Sequence, residues 1–280
     1  KNIQKKSFFT LIYLVAIVYS LNLLLGFAHL LENYKETALI KSKTADYDSR
    51  NVLEFIENES TIEKKIYPYL KPREILIKSQ NKDFMLISGL SNKYYAQCNE
   101  SGYWKIIKTD KNGFNNALST NNFDILLAGD SFADGTCVTT DQEINNQLTM
   151  KGNKTYSIGF AGNGILLTLA SIIEMKDHIK FENLVWLVYR NDFLDLKWEL
   201  TEKRLTKYLD PNFFGFKVIQ NKKEVDKHYV KFLNSRKGQN RKTFSFRENF
   251  FELQFIDKYY SLIFSSSQSP EIDEKILVQI

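Results

Sequence analysis

The sequence predicts an α/β domain built on a parallel sheet, and three observations predict it. Two stretches are solidly apolar, Ile125 to Ala128 within Phe123 to Ser131 and Leu184 to Tyr189, the pattern of strands covered on both faces. Between them lie a helix near Gln142 to Met150, a short strand Thr155 to Ile158 and a long helix from Ile165 to about His178. Strand, helix, strand, helix, strand is the alternation of a three-layer, doubly wound sheet. At 280 residues with 43% apolar content, the chain can bury one large core plus appendages, which excludes a wholly disordered class.

Taken in order, residues 1–7 carry Lys1, Lys5 and Lys6 and read as a short cytoplasmic N-terminus. Phe8 to Leu31 has no Asp, Glu, Lys or Arg. As a helix it is long enough to cross roughly 30 Å of hydrocarbon. The three lysines before it and the mixed charges after it (Glu32, Lys35, Glu36, Lys41) place the N-terminus inside and the rest outside. The alternative is a cleaved signal peptide, but the stretch is long and its exit lacks a small-x-small site. The expectation is an uncleaved signal anchor at 8–31, followed by a polar stalk over 32–66.

Residues 67–118 read as a β-rich lead-in. The Tyr67-Pro-Tyr-Leu-Lys-Pro72 stretch stops any helix. Runs at Asp83 to Ser88, Lys93 to Cys98 and Tyr103 to Thr109 look like short strands, with a hairpin-type turn at Asn99 to Gly102. Asp110 to Asn116 is a cluster of turn residues. The main domain occupies 119–280, with a helical insertion or lid over about 197–267. In it, Lys197 to Tyr208 and Lys222 to Leu233 are helical, and Glu248 to Phe264 is rich in aromatics. A serine-rich loop and a last helix follow.

The net charge of +5 falls to +2 once the three N-terminal lysines are set aside, and no basic stripe remains. Nucleic acid is therefore a poor partner. No metal-ligand spacing, P-loop or full dinucleotide fingerprint is present, so neither a metal nor a cofactor is called for.

Chemistry concentrates just past the strand ends. Gly129-Asp-Ser-Phe132 makes a tight turn after the first apolar strand. Ser157-Ile-Gly-Phe-Ala-Gly-Asn-Gly164 follows the short strand, and Tyr189-Arg-Asn-Asp192 closes the second apolar run. In an open α/β sheet such carboxyl ends lie along one edge, where sites form. These three blocks, in this order, resemble those of the SGNH (GDSL-type) hydrolases, a likeness that covers roughly Asp110 to Leu196. The resemblance implies a flavodoxin-like parallel sheet with Ser131 as nucleophile. It makes Gly162 and Asn191 donors of the oxyanion hole, with Asp130 and Asp192 as their neighbours. Singly, Ser131 could be a turn serine, Gly162 a helix-opening glycine and Asn191 a cap; together they favour a catalytic set.

The family takes its base from a late Asp-x-x-His. This chain has only His29, in the apolar segment, His178, at the far edge of the sheet, and His228, with no acid three residues earlier. The expectation is a chain cut short before its last block. Cys98 and Cys137 are the only cysteines. Outside the cytoplasm they could pair, tying the lead-in to the serine turn, or remain two unrelated thiols.

The resulting reading is a bacterial, membrane-anchored serine esterase. It would be single-pass in the inner (cytoplasmic) membrane, with its domain on the periplasmic side. Its substrate would be a small acyl ester or an acylated glycan, such as O-acetyl groups of envelope polysaccharide. Two alternatives stand beside it, an O-acyltransferase and a catalytically inactive binding or assembly module. A flavodoxin-like nucleotide binder is disfavoured because Asp130 would face the phosphate.

Overall fold

Ile125 to Ala128 lies in the middle strand of the main sheet, as its apolar character demands. The structure, a computed structural model, describes residues 10, 13–28, 31, 35, 47–79, 83–117 and 120–236. The expectations for 237–280 lie outside the described residues. The main sheet has the order β5-β4-β6, with β4 (Asn122–Ala128) paired in parallel to both β5 (Thr155–Ser157) and β6 (Lys180–Trp186). Phe123, Leu126, Leu127 and Ala128 are buried. The chain is thus a mixed α/β protein with a small parallel sheet and helices.

The connections supply the helices. After β4 comes a single turn, α3 (Ser131–Asp134), then a 3-10 turn and α4 (Ile144–Met150). Between β5 and β6 runs α5 (Ile165–Met175), buried on most of its surface and built from Leu166, Leu167 and Ala170 among others. A buried helix start needs partners for its free N–H groups. Here Glu199, at the end of α6 (Arg190–Glu199), accepts from Gly164, Leu166 and Leu167 at 2.9, 2.7 and 3.2 Å.

Ahead of this sheet stands a second one. β1 (Ile66–Pro68) pairs in parallel with β2 (Tyr94–Cys98), which pairs antiparallel with β3 (Lys105–Lys108). The hairpin across Asn99 to Gly102 is as expected. Three other expectations change. Asp83 to Ser88 is not a strand: Phe84, Met85, Leu86 and Ile87 are all buried, and an uninterrupted apolar run can cross a core as irregular chain when its carbonyls find donors. Arg204 does this, donating to Phe84 O at 3.0 Å and Leu76 O at 2.7 Å.

The described part of the expected stalk, from residue 47 on, is folded. α1 (Val52–Glu59) starts with a capping box between Asn51 and Glu54 and buries Phe55 against Ile66 and Ala96. A partly helical stretch with aliphatics at Val52, Leu53 and Ile56 was expected here; what the sequence did not announce is that it packs on the second sheet. Finally, the helices after α6, namely α7 (Lys203–Thr206) and α8 (Lys222–Arg236), do not stand beside Ser131. α8 is fixed to the lead-in, where Lys222 Nζ donates to Gly89 O at 2.6 Å and Asp226 accepts from Ser91 N at 3.1 Å. α2 (Pro72–Lys78) follows β1, with Pro72 at its first position.

Residues 13–28, in a separate unit, are helical with their large apolar side chains turned outward, including Leu14, Ile17, Leu24 and Phe27. Among the described residues no helix is long and apolar enough to cross a membrane. Residues 8, 9, 11, 12, 29 and 30 of the expected 8–31 span lie outside the described residues.

Candidate active site

Ser131 follows the buried end of β4 because the chain turns sharply there. Asp130 is the N-cap of α3, its Oδ1 accepting from Phe132 N at 3.0 Å, and is itself buried. A capping carboxylate lowers the cost of exposed helix-start N–H groups, which is why Asp precedes Ser here. Its other oxygen, Oδ2, receives Asn191 Nδ2 at 3.0 Å and lies 3.4 Å from Ser131 Oγ. Asp130 therefore joins the turn after β4 to the turn after β6.

Asn191 sits in the first turn of α6 rather than in a free loop. Asp192 closes that helix start, its Oδ2 accepting from Tyr189 N at 2.7 Å. Burial pushes the Asp192 carboxyl up to about 6, helped by the charges of Asp130 and Asp195 and opposed by the Tyr189 N–H. Asp192 is a cap beside the site, which explains why it is buried although charged.

Gly162 arrives from the third direction. Its φ of +80° is a left-handed conformation that glycine adopts without strain, and a methyl group there would lie 2.6 Å from Lys71 Cδ. Gly159, three residues earlier, is the contact point between this loop and the serine turn: a methyl group on it would collide with the Ala133 and Asp134 backbone. Ser157 Oγ reinforces the contact by donating to Ala133 O at 2.7 Å.

Ser131, Gly162 and Asn191, together with Asp130, line one cavity of about 580 Å³. Tyr69, Lys71, Gln97, Phe132 and Asp195 also contribute to its wall. Cys98 and Cys137 reach the same wall and are joined in a disulfide, with Cα atoms 5.6 Å apart. Behind the turn, Lys105 Nζ is buried between Gly135 O and Glu143 Oε1, each at 2.7 Å. No family model, no curated protein and no solved structure matches this chain.

No histidine among the described residues lines the cavity. His178 lies two residues before β6, level with the start of β4, because Lys180 pairs with Asn122. The seven residues of β4, at roughly 3.3 Å each, separate it from the Ser131 end. His228 faces Glu224 at 3.7 Å and Phe84 on a different cavity. His29 lies outside the described residues. Among the described residues no cluster of His, Cys, Asp and Glu could hold a metal.

Sequence reasoning missed the group behind the serine. Asp134 Oδ2 accepts from Tyr69 OH at 2.7 Å, Gln97 Nε2 at 2.8 Å and Thr136 Oγ1 at 2.6 Å. Burial pushes the Asp134 carboxyl up to about 6, against the Thr136 and Tyr69 hydroxyls and the Lys105 charge. An acid three residues after the nucleophile, between Ala133 and Gly135 in a turn already capped by Asp130, was the only trace of it in the sequence.

Proposed function

We propose that the chain is a serine acyl hydrolase of the SGNH type, acting outside the cytoplasm from a membrane anchor at 8–31. Its sheet would be the start of a flavodoxin-like, doubly wound layer. The strand order β5-β4-β6, with the first strand central and its successors on either side, supports this. The observation that carries the reading is that residues from three separate strand ends, Ser131, Gly162 and Asn191, line one cavity. The outward apolar side chains of 13–28 support the anchor.

In this reading Ser131 Oγ gives its proton to a general base and attacks the ester carbonyl, and the oxyanion that forms accepts from the Ser131 and Gly162 N–H groups and from Asn191 Nδ2. Its collapse breaks the ester C–O bond, releasing the alcohol, which takes the proton back, and leaving the acyl group on Ser131. Asn191 Nδ2 donates to Asp130 Oδ2 at 3.0 Å and to Asp192 Oδ1 at 3.4 Å; an amide carries two N–H groups, and the oxyanion would draw the one on the longer bond away from Asp192. The acceptor of the acyl group separates the hydrolase, which uses water, from an O-acyltransferase, which uses a sugar hydroxyl. Small acylated glycans are the proposed substrates. The resemblance implies a histidine as the base, and no histidine among the described residues lines the cavity.

A fluorophosphonate probe should label the full-length protein and spare Ser131→Ala. Asn191→Ala should lower kcat by about 10²–10³ with KM nearly unchanged, the loss typical of one oxyanion donor. Equal labelling of wild type and Ser131→Ala would overturn the assignment and favour a binding module on the same scaffold.

A further inference from the structure

Ser131 and Gly162 reach one cavity from different connections, so something must hold their relative placement. The serine turn offers Asp134, three residues after the nucleophile. The donor loop offers Ala161, directly before Gly162. Between them stands Tyr69, which follows β1 and belongs to neither connection. A phenol has one proton to give. Tyr69 gives it to Asp134 Oδ2 at 2.7 Å, which leaves its oxygen to accept from Ala161 N at 3.3 Å. Desolvation raises the Tyr69 hydroxyl well above its ordinary value, with the Asp134 charge adding to it, so the phenol stays a donor.

The ring is also fixed. It stacks on Phe160, centroids 4.7 Å apart and planes at 9°, and meets Tyr95 edge-on at 5.9 Å. Phe160 N in turn donates to Gly129 O at 3.3 Å. On the other side, Gln97 Nε2 and Thr136 Oγ1 hold the same Asp134 oxygen, so it cannot swing away from the phenol. Lys105, bonded to Gly135 O and to Glu143, closes the group from behind.

We infer that Tyr69 is a positioning residue of this site, setting the Gly162 donor against Ser131 through Asp134 on one side and Ala161 on the other. The inference rests on the acyl-transfer reading and assigns the lead-in sheet a part in catalysis. Misplacing a reacting group by about 1 Å costs up to roughly 10²-fold. The tether works by preventing such a drift.

The test uses the full-length protein and two readouts. Tyr69→Phe keeps the ring stack and removes only the hydroxyl. Its kcat on a small acyl ester should fall roughly 10-fold or more, with KM within about twofold. Hydrogen exchange of the Ala161 amide should quicken in Tyr69→Phe and in Asp134→Asn, and stay at the wild-type rate in Tyr67→Phe. Wild-type turnover by Tyr69→Phe, or a loss confined to KM, would overturn the positioning role. Unchanged Ala161 exchange would overturn the tether itself, whatever the activity. Failure of the acyl-transfer reading is distinct, because it shows in Ser131→Ala keeping wild-type labelling.

Discussion

Leu126 and Leu127 on β4 lie beside Leu184 and Val185 on β6, partner against partner in one register. Consecutive residues of a strand point to opposite faces, so each pair samples both sides of the sheet. Leu126 and Leu127 are each 0% exposed; Leu184 and Val185, one strand spacing away, are 43% and 37% exposed. The two runs are equally apolar, and only one is covered. An apolar run records the environment a strand suits, whereas its burial depends on what packs on both sides of it.

The comparison can be broken by a charge on each strand. Leu126→Asp would bury an unpaired carboxylate and should cost more than about 4 kcal/mol in urea denaturation, the range of the most damaging core changes. Val185→Asp, on the exposed strand, should cost only about 1 kcal/mol, the span of strand preference. Equal losses would mean that burial, as read from exposure, does not separate the two strands.

The same contrast separates what was legible in the sequence from what was not. β4, β5, α5 and β6 were legible because buried strands and their crossover helix are apolar in recognisable runs. The convergence of Ser131, Gly162 and Asn191 was legible because all three follow strand ends, and parallel strands put those ends on one edge. The helix within 51–66 was legible from its aliphatics, but its packing was not, since α1 is short and its apolar face of Val52, Phe55 and Ile56 gives no sign of the Ile66 and Ala96 partners it meets. The irregular core segment Phe84 to Ile87 was hidden for the opposite reason. Its apolar run matches a strand, and Arg204, 120 residues away, supplies a donor that no local pattern announces. The Tyr69–Asp134–Ala161 connection joins residues 65 and 92 positions apart and left only Asp134 as a trace.

A second way to sharpen the comparison is to cut the covalent tie at the covered end of the sheet. The disulfide closes 39 residues of sequence separation between β2 and the serine turn. Replacing both cysteines by serine should lower stability by about 2–4 kcal/mol, because the unfolded chain regains that loop's freedom. If Tyr69, Gln97 and Lys105 hold the turn as described, probe labelling of Ser131 should persist in the double variant at temperatures where it is folded. Loss of labelling with the fold intact would assign the turn's placement to the disulfide instead.

The smallest expected effect concerns charge at the covered corner. Three buried carboxyls stand above their ordinary values: Asp134 and Asp192 at about 6, and Glu199 at about 7, each chiefly through burial. For Glu199, burial outweighs the three backbone N–H donors that favour its ionised form. The unfolded chain releases this proton near 4.5, while the folded chain keeps it up to about 7. Within that window the native state binds more protons than the unfolded state, so stability falls as pH rises. The contribution is fully present below 4.5 and lost once pH passes about 7. The melting temperature should therefore be higher at about pH 5.5 than at pH 8, the reverse of what an ion-paired, half-buried acid such as Glu202 produces, where Arg204 pulls the carboxyl down. Glu199→Gln removes one titrating group and should flatten the slope by on the order of 1–3 kcal/mol across the window. A slope unchanged in Glu199→Gln would show that the helix-start N–H groups dominate after all, and that Glu199 stays ionised while capping α5.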